Sequence, residues 1–322
     1  MGIRRGIGLA FGLAEESTWG TAVSRDTWIR GNSSGLQVDV VKKRRPDLYL
    51  STTGAPIKHY TEKQDAGGTI EVLFGFEGHG KIIKHALWGT PTTTGPSSSL
   101  YTHTYPLAAD PPTGLTIEEV RGTDASGTNA ARVYEGCLID SVTWELSAGG
   151  LLTETLDIIA ETAAAESSAG TPSFTTNEIE ALHSAAGSLA WNSTNYADIR
   201  TMKVSVKRNL ARRNRLGSHL TSKPVPGVPE IMMEFEIDTT NADWLTGLTA
   251  DTESAATITI TGSGSRSVAF AVHKAYVHSV SDPIQGPDVI TQKVTLIGQW
   301  SSTTDRGITV TVINTQSSAI AA

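Results

Sequence analysis

The residues with the most chemical promise lie in a short run after a strand. Gly75-Phe76-Glu77-Gly78-His79-Gly80-Lys81 has the glycine and lysine spacing of a phosphate-binding loop. That chemistry needs Ser or Thr next, to hold magnesium, and the residue here is Ile82. The preceding strand carries Glu71, whereas the strand before such a loop is buried on both faces and apolar throughout. A strand–turn–helix corner is the expectation. Gly31-Asn32-Ser33-Ser34-Gly35 fits a nucleophile-elbow pattern, but a helix must follow the serine, and here a strand does, from Leu36 to Val41. His79 and His85 are six apart, so they leave a helix on different faces and do not form an i, i+4 zinc pair. They read as solvated surface histidines, and His103 has no visible partner. Cys137, the single cysteine, precedes a strand and reads as a small packed hydrophobe. Asn32-Ser33-Ser34 and Asn192-Ser193-Thr194 match the glycosylation pattern by accident of composition. No cofactor, metal or catalytic group is expected.

The elements that would carry these residues are mostly strands. Alternating or β-branched runs occupy 36–41, 69–76, 138–146, 151–159, 201–207, 231–237, 256–261, 268–280, 289–297 and 307–313. Helical patterns are confined to 79–88 and 241–248, the latter with Asn241 and Asp243 as cap candidates. The small-residue stretch 161–173 reads as a linker.

Composition narrows the class. The chain has 322 residues, 18% charged and 31 of them glycine, with a formal net charge of −7. That excludes charge-driven disorder, a coiled coil, a disulfide framework and a surface that grips nucleic acid throughout. No run reaches the ~20 apolar residues of a membrane-spanning helix, so no membrane insertion is expected. The stretch from Met1 to Ala14 contains two arginines and an apolar run, but Gly6, Gly8 and Gly12 interrupt it, and a cytoplasmic product is expected.

The two halves resemble each other. Ile70-Glu71-Val72 precedes the first helix and Met232-Met233-Glu234 the second, while Ile139-Asp140-Ser141-Val142 aligns with Val277-His278-Ser279-Val280. The first match is more widely spaced than the second, and the difference is assigned to a loop over 90–115. A basic knot follows the first core strand of each half: Lys42, Lys43, Arg44 and Arg45 with Tyr49 and Tyr60 nearby, then Lys207 and Arg208 with Arg212, Arg213 and Arg215. Polar loops, 46–68 and 216–229, come after. A tandem duplication of a β-sandwich unit accounts for this order. The knots are solvated charge, a phosphate-binding surface or a contact with a neighbouring subunit. Few stacking aromatics accompany them, which weakens the nucleic-acid reading.

Glu16-Ser17-Thr18-Trp19-Gly20-Thr21-Ala22-Val23 resembles the E-x-T-[YW]-G-T-x-V signature of tail tube proteins from long-tailed, siphovirus-type bacteriophages. Gly67-Gly68-Thr69-Ile70-Glu71-Val72 resembles that family's glycine-led strand before a short helix. Tyr101-Thr102-His103-Thr104-Tyr105 and Gly136-Cys137-Leu138-Ile139-Asp140-Ser141-Val142 follow in the family's order. The resemblance implies a mainly β fold of two tandem tube-type sandwiches, each with a short flanking helix. The divisions would be an arm over 1–30, sandwiches over 31–160 and 174–302 with the linker between, and a strand and tail over 303–322.

It further implies a structural virion protein and no enzyme. Its partner would be itself, as rings stacked into the hollow tail conduit, with a trimeric pseudo-sixfold ring favoured and a hexamer as runner-up. Tape measure, terminator and distal tail proteins would flank it, and genomic DNA would pass without tight binding; assembly would take place in the host cytoplasm. An acidic lumen follows as an expectation, lined by Glu71, Glu118, Glu119, Glu145, Glu154, Asp157, Glu234 and Glu236. The 42–68 and 208–229 loops would reach the next ring. Another ring-forming virion part and a non-viral β-sandwich binding module are the alternatives.

Overall fold

A computed structural model describes residues 8–44, 59–123, 129–164, 167–168, 170–174, 187–192, 194–196, 199–238, 244–281, 290–301 and 307–320. The first half runs β1 (Ala10–Glu15), β2 (Thr27–Ser34), β3 (Gln37–Arg44), β4 (His59–Leu73), α1 (Gly80–Leu87), β5 (Thr92–Ser97), β6 (Leu100–Pro106), β7 (Leu115–Thr123), β8 (Asn129–Ser147), β9 (Thr153–Ala160), β10 (Thr162–Ala163) and β11 (Ser167–Ser168). The second runs β12 (Gly187–Trp191), β13 (Thr194–Tyr196), β14 (Ile199–Lys207), β15 (Ala211–Arg213), β16 (Ser222–Val225), β17 (Glu230–Asp238), α2 (Trp244–Thr249), β18 (Glu253–Thr261), β19 (Ser267–Ser281), β20 (Thr291–Gly298) and β21 (Ile308–Asn314).

Antiparallel pairing strings eight of these into one sheet, β3–β4–β9–β8–β14–β17–β20–β19. Its first four strands come from the first half and its last four from the second, and β8·β14 is the joint. Alternation explains the layering: Val142, Trp144, Val204, Val206, Met233 and Phe235 point to one buried side, and polar residues occupy the intervening positions. The amino-terminal part of β8 bends away to pair with β7, β10 and β11, and β1 and β2 complete that outer layer. In the second half β12, β18 and β21 cover the sheet through the amino-terminal part of β19. Trp144 meets Phe270 across the sandwich, ring centroids 4.9 Å apart.

The duplication is visible in the ladders. In β8·β9 the register shifts between Ile139 and Ser141; in β19·β20 it shifts between Val277 and Ser279. Ile139 opposes Ile158 and Val277 opposes Leu296, so one displacement along the chain carries both members of the first pair onto the second, bulge included. Following the next ladder, Leu156 opposes Ile70 and Val294 opposes Phe235. Leu156 maps onto Val294 by that same displacement, and Ile70 therefore corresponds to Phe235. The alignment of Ile70 with Met232 is corrected: it matches a buried residue to one on the other face.

Other expectations change as well. Residues 90–115 hold the hairpin β5–β6, and β6 pairs with β21, so a first-half element extends the second unit's outer layer. The arm over 1–30 contains β1 and the first half of β2, hydrogen-bonded into the first sandwich, and β10 and β11 of the linker run along β8. The tail is clipped down: Tyr105 donates to the Ala319 carbonyl (2.6 Å) and the Asn314 amide to that of Phe76 (2.7 Å). Residues 31–34 are strand, which removes the elbow geometry at Ser33. Residues 59–68 are strand rather than loop. Helix α1 buries Ile82, Ile83, Ala86 and Leu87 at i, i+3 and i+4 spacing and ends at Trp88, whose φ is 66°. Helix α2 starts at Trp244, packed with Trp191, Tyr196 and Phe235; the proposed cap residues lie outside the described residues.

Candidate assembly surface

Of the signature residues 16–23 near the amino terminus, Glu16 is buried and anchors a hydrogen-bonded knot. The Glu16 carboxylate accepts from the Gly20 N–H (2.9 Å), the Gly136 N–H (2.8 Å) and the Thr116 hydroxyl (3.1 Å). These bonds tie the turn after β1 to β7 and to the point where β8 bends. Gly136 has φ +61°, and a Cβ there would sit 3.0 Å from the Trp19 ring and 2.9 Å from Glu161 Cβ. Glycine is required for the bend that passes β8 from one layer to the other. Cys137 follows it, fully buried, with its thiol pushed far up by burial and by Glu16, as suits a packing role.

The corner with phosphate-loop spacing is likewise structural. Lys81 is buried and paired with Asp26. His79 and His85 are buried, correcting the solvated reading. His79 Nδ1 lies 2.8 Å from Glu154, which also accepts from Trp144 Nε1 (2.9 Å). Burial lowers the His85 pKa, and its Nε2 lies 3.2 Å from the Glu15 carboxylate. His103 is enclosed too: Nδ1 faces the Thr93 hydroxyl, and Nε2 lies 2.9 Å from Asn314 Oδ1 and the Gln316 carbonyl. The partners lie between ten and 213 residues away in sequence, so no local pattern announces them. Among the described residues no group of His, Cys, Asp and Glu has the geometry of a metal site.

Polar residues of the eight-stranded sheet form one solvent-facing surface. Glu71, Glu145, Asp157, Glu234 and Glu236 all lie on it. So do three lysines outside the expected acidic lining, one of which, Lys207, belongs to the second basic knot. Lys203 lies opposite Glu145 on one side and Glu234 on the other, at 3.7 Å from the latter's carboxylate. Lys293 opposes Glu236, and Lys207 opposes Ser141. Burial, and then the neighbouring Asp140, raise the Asp157 pKa. Glu118, Glu119 and Glu154 do not share this surface. Glu154 points into the sandwich, Glu118 is buried against Arg25 and accepts the Gly170 N–H, and Glu119 is held by Ser34 and Arg121. Alternation gives the face of a strand but not its layer.

The basic knots divide. Lys42 and Lys43 are exposed on β3, Lys43 pairing with Glu62, and Arg44 ends that strand. Arg45 and Tyr49 lie outside the described residues. Arg208 is buried, correcting its assignment to a surface contact. Its Nε donates to the Ala86 carbonyl (3.1 Å), its Nη1 to that of Ala108 (2.9 Å), and its guanidinium stacks 4.1 Å from the Trp88 ring centroid. Desolvation lowers its pKa to about 9, so it remains a cation at neutral pH beside the C-terminal end of α1. Arg212 donates to the Ala66 carbonyl at 2.9 Å, and Arg213 and Arg215 are exposed on and beyond the β15–β16 ribbon. That ribbon's loop folds back onto β4, with Gln64 N–H bonded to the His219 carbonyl (2.7 Å).

Among the described residues, the eight-stranded sheet ends in an open edge at each side. β3 pairs only with β4, and β19 beyond Tyr276 pairs only with β20. Residues 6–298 match the family model described as phage tail tube protein. No curated protein matches the chain.

Proposed function

The chain belongs to the phage tail tube family, and we propose that it assembles as stacked rings into the hollow tube through which the genome leaves the virion. The family makes it a structural component of the virion tail. The observation that carries the finer reading is the sheet itself. Eight antiparallel strands in two equivalent sets of four, joined at β8·β14, end among the described residues in one open strand at each side. Long open edges invite uncontrolled pairing, and head-to-tail closure of a ring removes them.

A ring of three chains would contain six equivalent sheet units. The two equivalent four-strand sets of each chain support this count over six chains, since three chains supply six sheet units and six chains would supply twelve. The surface bearing Glu71, Glu145, Asp157, Glu234 and Glu236 is the proposed lumen, and the exposed basic residues Lys42, Lys43, Arg213 and Arg215 are proposed contacts between rings. Arg44, Arg45 and Tyr49 belong to the same proposal. Tape measure, terminator and distal tail proteins would bound the tube, which would form in the host cytoplasm from long-tailed phage components. Electron microscopy of the purified protein, with native mass measurement of single rings, tests this. Tubes built from three-chain rings are expected. Rings of six chains would overturn the pseudo-sixfold arrangement, and rings that never stack would favour a terminator-like part.

A further inference from the structure

The β8·β14 joint is an intrachain contact between the two equivalent four-strand sets. At the joint, Ser141 opposes Lys207, Val142 opposes Val206 and Thr143 opposes Ser205. The displacement that takes Ile139 to Val277 carries β8 onto β19, turning Ser141, Val142 and Thr143 into Ser279, Val280 and Ser281. The partner strand transfers through β4. Val206 opposes Ile231 and Val38 opposes Ala66, and Ala66 corresponds to Ile231 by the same displacement that relates Ile70 to Phe235. Val38 therefore corresponds to Val206, with Gln37 and Asp39 on either side of it.

Burial supports the transfer. Val142 and Val206 are 0% and 1% exposed where they meet. Val38 and Val280 pack against the core yet are only partly covered, as expected of the same pair held apart. Asp39, Ser279 and Ser281 are exposed.

Resting on the tail-tube reading, we propose that β19 of one copy pairs antiparallel with β3 of the next in the register Ser279–Asp39, Val280–Val38 and Ser281–Gln37. The internal joint also gives the hydrogen-bond phase. The Arg208 N–H donates to the Asp140 carbonyl (2.6 Å), so Asp140–Arg208 is a hydrogen-bonded pair and Ser141–Lys207 is a non-hydrogen-bonded one. Ser279–Asp39 inherits that close spacing. It also replaces the lysine of the internal joint by an aspartate, so the two joints carry opposite charge beside the same serine.

Paired cysteines test the register, since a cross-strand disulfide needs Cβ atoms roughly 3.5–4.5 Å apart. Ser279→Cys with Asp39→Cys, both in one chain, should link neighbouring copies into covalent rings on mild oxidation, read on a non-reducing gel. Ser281→Cys with Asp39→Cys, a diagonal roughly 7–8 Å apart, should link at least about tenfold less. Cys137 is fully buried and stays silent. Preferential linking of the slipped pair, or neither pair linking in rings visible by microscopy, would overturn the register while leaving ring formation intact. A protein that stays monomeric at high concentration would overturn the register and the tail-tube assembly together.

Discussion

Replacing Gly68 by alanine probes the open edge from within the fold. Gly68 has φ +139°, and an added Cβ would lie 2.2 Å from the Gly35 carbonyl oxygen, 2.9 Å from its carbon and 3.2 Å from Leu36 Cα. All three are backbone atoms, so relief requires β4 to separate from the chain between β2 and β3. The Gly35 N–H to Thr69 carbonyl bond, 2.7 Å, lies in that path. Holding a residue with a side chain in this conformation costs roughly 1–3 kcal/mol, and losing the bond about 1–3 kcal/mol more, giving roughly 2–6 kcal/mol together. At ~2.1 cal/mol/K per residue, the 322 residues unfolding as one unit would lose about 3–9 °C in Tm, measured by scanning calorimetry. Gly149→Ala is the control. It also has positive φ (+76°), but nothing lies within 4 Å of its added Cβ, so only about 1 kcal/mol is expected. Equal shifts for the two variants would refute the close-approach reasoning. A Gly68→Ala protein that melts within ~1 °C of the parent would refute it as well, since that is well under the predicted shift.

Two further perturbations address the half-buried Glu15 and the buried Arg208. Glu15, held by His85 and by Lys84 at 2.7 and 2.8 Å, has its pKa lowered to about 2, chiefly by the His85 hydrogen bond against opposing burial. Its stabilisation, roughly 2–3 kcal/mol, is present above the ordinary value near 4.5 and disappears as pH falls towards 2. Glu15→Gln should therefore be less stable than the parent at pH 7, with the gap closing across that acidic window in urea titrations; a pH-independent gap would contradict it. Arg208→Ala strands the Ala86 and Ala108 carbonyls and should cost about 3 kcal/mol. Arg208→Lys should recover less than half, because an ammonium cannot reach both carbonyls while covering the Trp88 ring. Full stability of Arg208→Lys would show that point charge, rather than the planar fork, is what the site uses.

The sequence discloses those strands whose alternation reflects one buried face, such as β14, β17 and β18, and helix α1 through its apolar spacing. It hides the strands whose composition imitates something else. β1 is interrupted by Gly12 and resembles a leader, and β5 is Thr, Gly, Pro and Ser, the material of a loop. Its pairing with β6, itself sandwiched against β21, makes it a strand. Side-chain roles fail for a different reason. His79, His85 and Arg208 are polar residues whose partners arrive from strands and helices 70 to 122 residues distant. Burial of a charge depends on such partners. The repeat itself is legible, but its alignment across β4 and β17 needs the ladders, because both strands alternate and admit more than one match.

The solvent-facing side of the sheet changes what the acidic residues imply. Alone they describe a strongly negative surface. In place, Glu145 and Glu234 flank Lys203 and Glu236 faces Lys293, while Glu71 and Asp157 oppose threonines across the β4·β9 ladder. Asp157 is, in addition, the carboxylate whose pKa burial raises. Opposed charges a few ångströms apart cancel beyond a Debye length of about 8 Å, so a phosphate at the centre of a wide channel would meet only a small negative excess. A lysine without a nearby acid would bind phosphate and displace its counterions, adding salt-dependent affinity at each step of passage. Distributing lysines between carboxylates avoids that affinity, and it also avoids the mutual repulsion of an unrelieved acidic ring. In the proposed tube, the low friction of the conduit would come from this local pairing, with net charge a secondary contribution.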